Sequence, residues 1–357
     1  MAYPIRPPPG TSGATTASSS RPPPSRTGSR RPGKKTLAGL TTTYLDEALT
    51  HFSGYLAIDE LYEGPHCVLS VVDNRRYNRL AFRVLDRDPT QADVRAFLAE
   101  FKGQLDRRGL RVRGLTTDGS ALYPEVLKEL WPGVRHQRCR FHVLQEITKA
   151  VLRALAKLRR ELKAKIPKRR RGRPRLRDRA QARRNRRVQQ RIADLLAHRH
   201  RFVKHHLRAA EKRLLKKLTR GQPQLRALRA IMDEVYRLFD RRCRRVTALW
   251  RLLKLRQRVR RFKRLAGVLG KLNSPQLAQA LQFLDDRLLG STSNAVERAN
   301  RRFRKAQKSI YGVRTQRHLE QRLALDMNRE LRAEKRARTL KTLHHARSDP
   351  ESSHPCC

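Results

Sequence analysis

The sequence is poor in acid. Asp and Glu number 31 against 84 Lys and Arg, a formal net charge of +53. A chain so charged repels itself unless a polyanion balances it. Nucleic acid is the natural partner, because each phosphate met by Lys or Arg releases counterions. An anionic membrane surface is the rival. Long apolar runs are missing: none approaches the roughly 20 residues of a spanning helix, so no membrane span is expected, and no signal peptide either. Cysteine is scarce. Cys67, Cys139 and Cys243 are scattered, and Cys356 and Cys357 are adjacent. That pattern excludes a disulfide framework and fits a reducing interior, cytoplasmic and nucleoid-associated. Aromatics are 6% and hydrophobic residues 38%, so an apolar core cannot extend everywhere.

What is present begins with an arm. Residues 1–38 are Pro, Ser, Thr, Gly and Arg with almost no large apolar side chain, the composition of a disordered basic segment. From Leu40 the pattern changes. Short apolar runs predict strands at 54–62, 67–72 and 80–85, joined closely enough for an antiparallel meander. Thr90 with Asp93 reads as a capping box. Val94, Phe97, Leu98, Phe101 and Leu105 then fall at helical spacing over 91–107, and Gly109 ends the helix. A fourth strand, 111–117, follows. A strand–helix–strand step of this length implies parallel pairing with an earlier strand. Gly119-Ser120 opens a second helix through Leu130, and a fifth strand, 134–138, leads into Cys139-Arg-Phe-His142. Beyond lies a basic helical region, interrupted at 166–179, with two or three further helices over 180–288. The last informative stretch is 291–305, and the tail from 346 is expected to be unstructured.

Two carboxylates stand out. Asp59 ends the run Tyr55-Leu-Ala-Ile58, and Asp118 follows strand four. If the two strands are neighbours, both acids project at one edge. Carboxylates that close repel unless divalent cations neutralise them. Mg²⁺ uses one or two carboxylates plus substrate phosphates, and paired ions serve phosphodiester chemistry. Glu297 is the third acid. Val296, Ala299, Phe303, Ala306 and Ile310 define an apolar helix face, while Glu297, Arg301, Arg304, Lys305 and Lys308 define another, suited to DNA phosphates. Each piece also has a plain explanation. Asp59 and Asp118 fit turn positions, Asn294-x-x-Glu297 fits a capping box, and Asp73, Asp86 and Asp88 are competing acids at strand ends.

The order strand-Asp, two strands, helix, strand-Asp and late helical Glu resembles the ribonuclease H-like core of DDE transposases. Ala57-Ile-Asp-Glu60, Thr116-Thr-Asp-Gly-Ser120, Cys139-Arg-Phe-His142 and Thr292-Ser-Asn-Ala-Val-Glu-Arg-Ala-Asn300 resemble, more narrowly, the Mutator-like group and its bacterial insertion-sequence relatives. The resemblance covers about 50–330. It implies an α/β fold, a ribonuclease H-like mixed sheet with a large all-helical insertion. The parts are the arm 1–38, a first core part 39–145, the insertion 146–288, a last core part 289–345 and a tail 346–357. It implies Mg²⁺, with Mn²⁺ as substitute, on Asp59, Asp118 and Glu297, with Cys139 and His142 supporting the site or the DNA path. It implies DNA cleavage and strand transfer by a homo-oligomer on double-stranded element ends and target DNA. That group usually carries a sizeable DNA-binding region before the first acid, where this sequence has the arm.

Cys139 and His142 could open a zinc site, but a closed structural site takes four ligands. His136 is near, and His198, His200, His205 and His206 lie in a basic helix, yet no second Cys/His pair is spaced for it. The pair is read instead as a buried Cys and a His contacting acid or phosphate. The rivals to a transposase are a non-catalytic DNA-binding remnant and a structure-selective nuclease on the same core. Arg171, Gly172, Arg173 and Pro174 together resemble an AT-hook, an extended DNA-binding segment whose Arg side chains enter a narrow A·T minor groove; a flexible basic linker is the alternative. Replacing Arg171 and Arg173 by Ala is expected to erase any preference for A·T-rich duplexes in competition binding. An unchanged preference would leave the linker.

Overall fold

The computed structural model describes residues 43–167, 176–260 and 270–348. The arm 1–38 and all of the tail beyond Ser348 lie outside them. So does the AT-hook-like motif, with Arg171, Gly172, Arg173 and Pro174 all falling between the first two described segments. Five strands build one mixed sheet: β1 (Tyr55–Glu63), β2 (His66–Asp73), β3 (Arg79–Leu85), β4 (Gly114–Thr117) and β5 (Arg135–Arg138), in the order β3-β2-β1-β4-β5. The first three pair antiparallel, and β4 and β5 run parallel to β1. The meander and the parallel return follow the sequence expectation.

Twelve helices are described. The sheet-flanking ones are α1 (Thr43–Leu49), α2 (Gln91–Asp106) and α3 (Pro124–Leu130). After β5 come α4 (Arg140–Ala164), α5 (Leu176–Ala197), α6 (Ala209–Leu218), α7 (Pro223–Leu238), α8 (Arg245–Arg260) and the single turn α9 (Gln276–Gln279). The chain then forms α10 (Asn294–Ala306), α11 (Gln316–Leu331) and α12 (Arg336–Ser348).

Alternation along β1 sorts its side chains between two layers. Leu56 and Ile58 join Leu69, Val71 and Leu115 against Phe97, Leu98, Phe101 and Leu105 of α2 and Val126 and Leu127 of α3. The large side chains of α2 are each nearly or wholly buried, worth about 1.5–3 kcal/mol apiece. Ala57 and Leu61 face the other way, under Val296 and Phe303 of α10 and Leu319 and Leu323 of α11. A separate large core joins α4 through α9.

The capping box at Thr90 forms with both of its hydrogen bonds. Several boundaries differ from expectation. Asp59 does not end a strand: β1 runs on to Glu63, because β2 continues to pair with it after β4 has stopped. β4 begins at Gly114, where a Cβ would meet Leu289 Cδ1 at 2.7 Å. The helix after Asp118 begins at Pro124, not Gly119, since Pro favours the first helical turn. The interval 180–288 holds more helices than the two or three expected. Arg-rich faces had blurred their periodicity. α12 extends to Ser348, past the expected tail boundary.

Asp73 competes no longer as a metal ligand. It is buried, and its oxygens accept from Ser53 N–H (2.8 Å), Ser53 Oγ (2.6 Å), Arg75 N–H (2.8 Å) and Arg76 N–H (2.9 Å). Asp86 and Asp88 are exposed. Asp73→Ala would orphan several of these donors, each costing about 1–3 kcal/mol. Denaturant unfolding should show a loss of that order with divalent-ion affinity kept. A loss of ion affinity without a loss of stability would reverse this assignment.

Candidate active site

The parallel ladder fixes the two aspartates. Ile58 pairs with Thr117, so Asp59 and Asp118 are the next residues on adjacent strands. β4 stops there, and the edge opens. Asp118 Oδ1 accepts the Ser120 N–H at 2.8 Å, a tight turn. Gly119 follows Asp118 at φ +108. A Cβ on Gly119 would collide with the Arg138 guanidinium. That buried guanidinium packs over the turn, 3.6 Å from Glu146.

Glu60 enters as well, although strand alternation places it on the opposite face. Ligand oxygens of Asp59, Glu60 and Asp118 all lie within 4.8 Å of one another. Glu60 comes from the α3 side, held by the Tyr123 hydroxyl, which donates to Glu60 Oε2. The pair of acids in Ala57-Ile-Asp-Glu60 was the available signal, and the period of two argued against it.

Asp59 faces α10. Its Oδ2 accepts from Asn300 Nδ2 at 3.0 Å. Asn300 Oδ1 in turn accepts from Arg79 Nη2 at 3.2 Å. A guanidinium only donates, so Arg79 fixes which way the Asn300 amide points. The relay leaves Asp59 Oδ1 for another partner. Sequence reasoning missed both Asn300 and Arg79, since neither is near Asp59 in the chain.

Burial drives the Asp59 carboxyl up to about 8, with Asp118, Glu60 and Glu297 adding to the shift. Burial also raises Glu60, helped by Asp118. Anionic oxygens so crowded fit a hard divalent cation, which takes carboxylate oxygens and keeps positions for water and phosphate.

Glu297 is near enough to Asp59 to raise it, but its own contacts lie on the other side. Ser293 Oγ donates to Glu297 Oε1 at 3.0 Å, and His142 Nδ1 stands 3.9 Å from the same oxygen. The capping box at Asn294 does not form. Ser293 is the N-cap, with no side-chain cap bond, and Asn294 is exposed.

Backbone clips bring this distant segment in. Arg140 N–H donates to Ser291 O at 2.8 Å, and Ser293 N–H to Cys139 Sγ at 3.4 Å. Thr116 Oγ1 donates to Gly290 O at 3.1 Å. Cys139 is fully buried. Burial opposes ionisation of its thiol, but His142 and Ser293 outweigh that and lower it. The Cys139 interaction raises His142 to about 9. Arg301, Arg304, Lys305 and Lys308 are exposed along and just beyond α10, whose helix gives way to a π turn at Gln307–Tyr311. Of the expected apolar face, Val296 and Phe303 are buried, Ala299 and Ala306 half-buried, and the Ile310 side chain lies outside the described residues.

The profile of a transposase family, of the DDE type and the ISL3 insertion-sequence group, matches residues 56–323. No curated protein matches the chain. The match bears out the insertion-sequence side of the resemblance and leaves its Mutator-like side without support. It spans Asp59, Glu60, Asp118, Cys139, His142, Glu297 and Asn300, and the mixed sheet and helices accord with a ribonuclease H-like core.

The raised carboxyl of Asp59 has a measurable consequence without metal. Its folded value lies above the ordinary 3.8, so the folded state holds the proton more tightly. That contribution is complete below about pH 3.8 and is lost up to about pH 8, by at most about 1.4 kcal/mol per pH unit. In chelator-treated protein, Asp59→Asn should melt increasingly above wild type from pH 5 to pH 8. Parallel melting profiles would contradict the shift.

Proposed function

This chain belongs to the DDE transposase family of insertion-sequence type, and on that footing we propose how it cuts and joins DNA. Asp59 and Asp118 hold Mg²⁺, or Mn²⁺ in its place, and Glu297 completes the set. The observation that carries this assignment is their placement. Adjacent parallel strands present the two aspartates at one edge, and α10 brings Asn300 onto Asp59 with Glu297 one turn away. Bound there, the cations supply Lewis-acid stabilisation of charge on the attacked phosphate and activate the attacking oxygen.

The protein's side chains do the positioning. Asn300, oriented by Arg79, keeps one oxygen of Asp59 engaged and leaves the other for a cation. Ser120 N–H holds Asp118, and Tyr123 holds Glu60 beside them. Arg301, Arg304, Lys305 and Lys308 meet the DNA backbone without reading its sequence. Water attacks the scissile phosphorus at an element end, and the 3′ oxygen departs. The freed 3′-hydroxyl then attacks a phosphorus of target DNA, which releases its own 3′ oxygen. Assembly of two or more copies would pair the ends. The helices between β5 and α10 form the insertion.

No helix among the described residues is long and apolar enough to cross a membrane, and DNA remains the polyanion for the surplus charge. The basic segment of Arg171, Gly172, Arg173 and Pro174 is an additional DNA contact in this scheme.

Asp59→Ala, Asp118→Ala and Glu297→Ala should each lower Mg²⁺-supported strand cleavage about 100-fold or more, with duplex binding retained. Strand joining should fall in parallel when a pre-cut end is supplied. Cleavage that persists in Glu297→Ala would remove Glu297 from the metal set and leave Glu60 as the third acid. Cleavage without joining in the wild type would make the protein a nuclease.

A further inference from the structure

The sequence could not complete a zinc site at Cys139 and His142, because no second ligand pair lies nearby. The fold supplies what is missing from a segment far along the chain. Cys139 caps α4 and His142 sits on its first turn, so both face one side. Glu297 reaches them from the first turn of α10. Their sulfur, nitrogen and oxygen ligand atoms lie within 4.8 Å of one another.

The geometry is close to that of a bound ion. Tetrahedral bonds of about 2.0–2.3 Å set ligand atoms roughly 3.3–3.8 Å apart. His142 Nδ1 and Glu297 Oε1 are 3.9 Å apart. His142 Nδ1 is a buried atom that makes no well-formed hydrogen bond, which is costly unless something else meets it. The groups drawn to the imidazole are the Cys139 thiol and, at 3.9 Å, Glu297 Oε1, the other two members of the cluster. The His142 and Glu297 side chains are 32% and 27% exposed, which leaves an entry path.

We propose that Cys139, His142 and Glu297 form a site for a borderline-soft divalent ion such as Zn²⁺, separate from the all-oxygen cluster at Asp59, Glu60 and Asp118. A thiolate with an imidazole selects Zn²⁺ over Mg²⁺. The Ser293 N–H and the N-terminus of α4 both favour the thiolate form. On binding, the proton that the His142 imidazole holds beside the Cys139 thiolate passes to solvent, and the neutral imidazole coordinates through Nδ1. Three protein ligands leave a fourth position for water or a phosphate oxygen.

The site competes for Glu297. An ion held by Cys139 and His142 draws that carboxylate away from Asp59 and Asp118, so Zn²⁺ opposes Mg²⁺-supported cleavage. This consequence rests on Glu297 as the third acid of the proposed triad; the binding itself does not.

Co²⁺ is the probe, added to the full chain with Cys356→Ser and Cys357→Ser so that the terminal thiols are silent. One equivalent should give thiolate-to-cobalt charge-transfer absorption with tetrahedral visible bands, displaced by Zn²⁺. Cys139→Ser should abolish the charge transfer, and His142→Gln and Glu297→Gln should each weaken binding by about tenfold or more. Asp118→Asn should leave the spectrum unchanged, which separates this site from the aspartate cluster. Circular dichroism would establish that each variant is folded. No charge-transfer band in the folded parent, a band that survives Cys139→Ser, or loss of the band in Asp118→Asn would each overturn the proposal. None of these outcomes bears on whether Asp59 and Asp118 support cleavage with Mg²⁺.

Discussion

Crowded, half-buried carboxylates are the constraint on which this structure turns. Asp59, Glu60 and Asp118 place their oxygens within one small volume, where burial and mutual repulsion hold Asp59 far above its ordinary ionisation range. Such an arrangement costs stability unless a cation or a proton relieves it. The fold nevertheless builds it from several directions. The β1–β4 ladder sets two acids side by side, Tyr123 steers the third, and the Arg79–Asn300 relay orients Asp59 from below α10. Gly119 lets Arg138 close over the turn that carries Asp118.

The chain solves a second problem, which is to bring α10 back over the sheet after a long helical excursion. Hydrogen bonds from Thr116, Arg140 and Ser293 pin residues 290–293 to the ends of β4 and α4. The apolar underside of α10 then packs on Ala57 and Val72, and its exposed cations face outward. Three carboxylates gather at this edge. Other acids pair with Arg or Lys elsewhere, as Glu100 does with Arg83 and Glu47 with Arg332, and the surplus cations are left for a DNA backbone. One helix carries both, with Glu297 at its start and Arg304 and Lys305 at its end.

Local patterns in the sequence were sufficient for much of this. The five strands, the Thr90 cap and the parallel pairing of β1 with β4 follow from apolar runs, turn residues and connection lengths, and they place Asp59 beside Asp118. What remained hidden depends on long-range packing. Glu60 breaks the alternation rule only because β4 ends and its carboxylate can turn at the open edge. Asn300 and Arg79 meet Asp59 across layers that no spacing in the sequence announces. Glu297 was legible as a helical acid, but not its approach to His142. The basic helices before α10 were under-counted because Arg on so many faces dilutes a 3.6-residue period.

The decisive measurement is calorimetric titration of Mg²⁺ into the protein with a short DNA duplex present, wild type against Asp59→Ala/Asp118→Ala. The carboxylate edge predicts binding in the wild type, with protons released as Asp59 ionises. It predicts loss of that binding in the double variant, with duplex affinity kept. Equal Mg²⁺ binding by both proteins, or none by the wild type, would contradict a metal site at this edge and leave a basic DNA-binding protein.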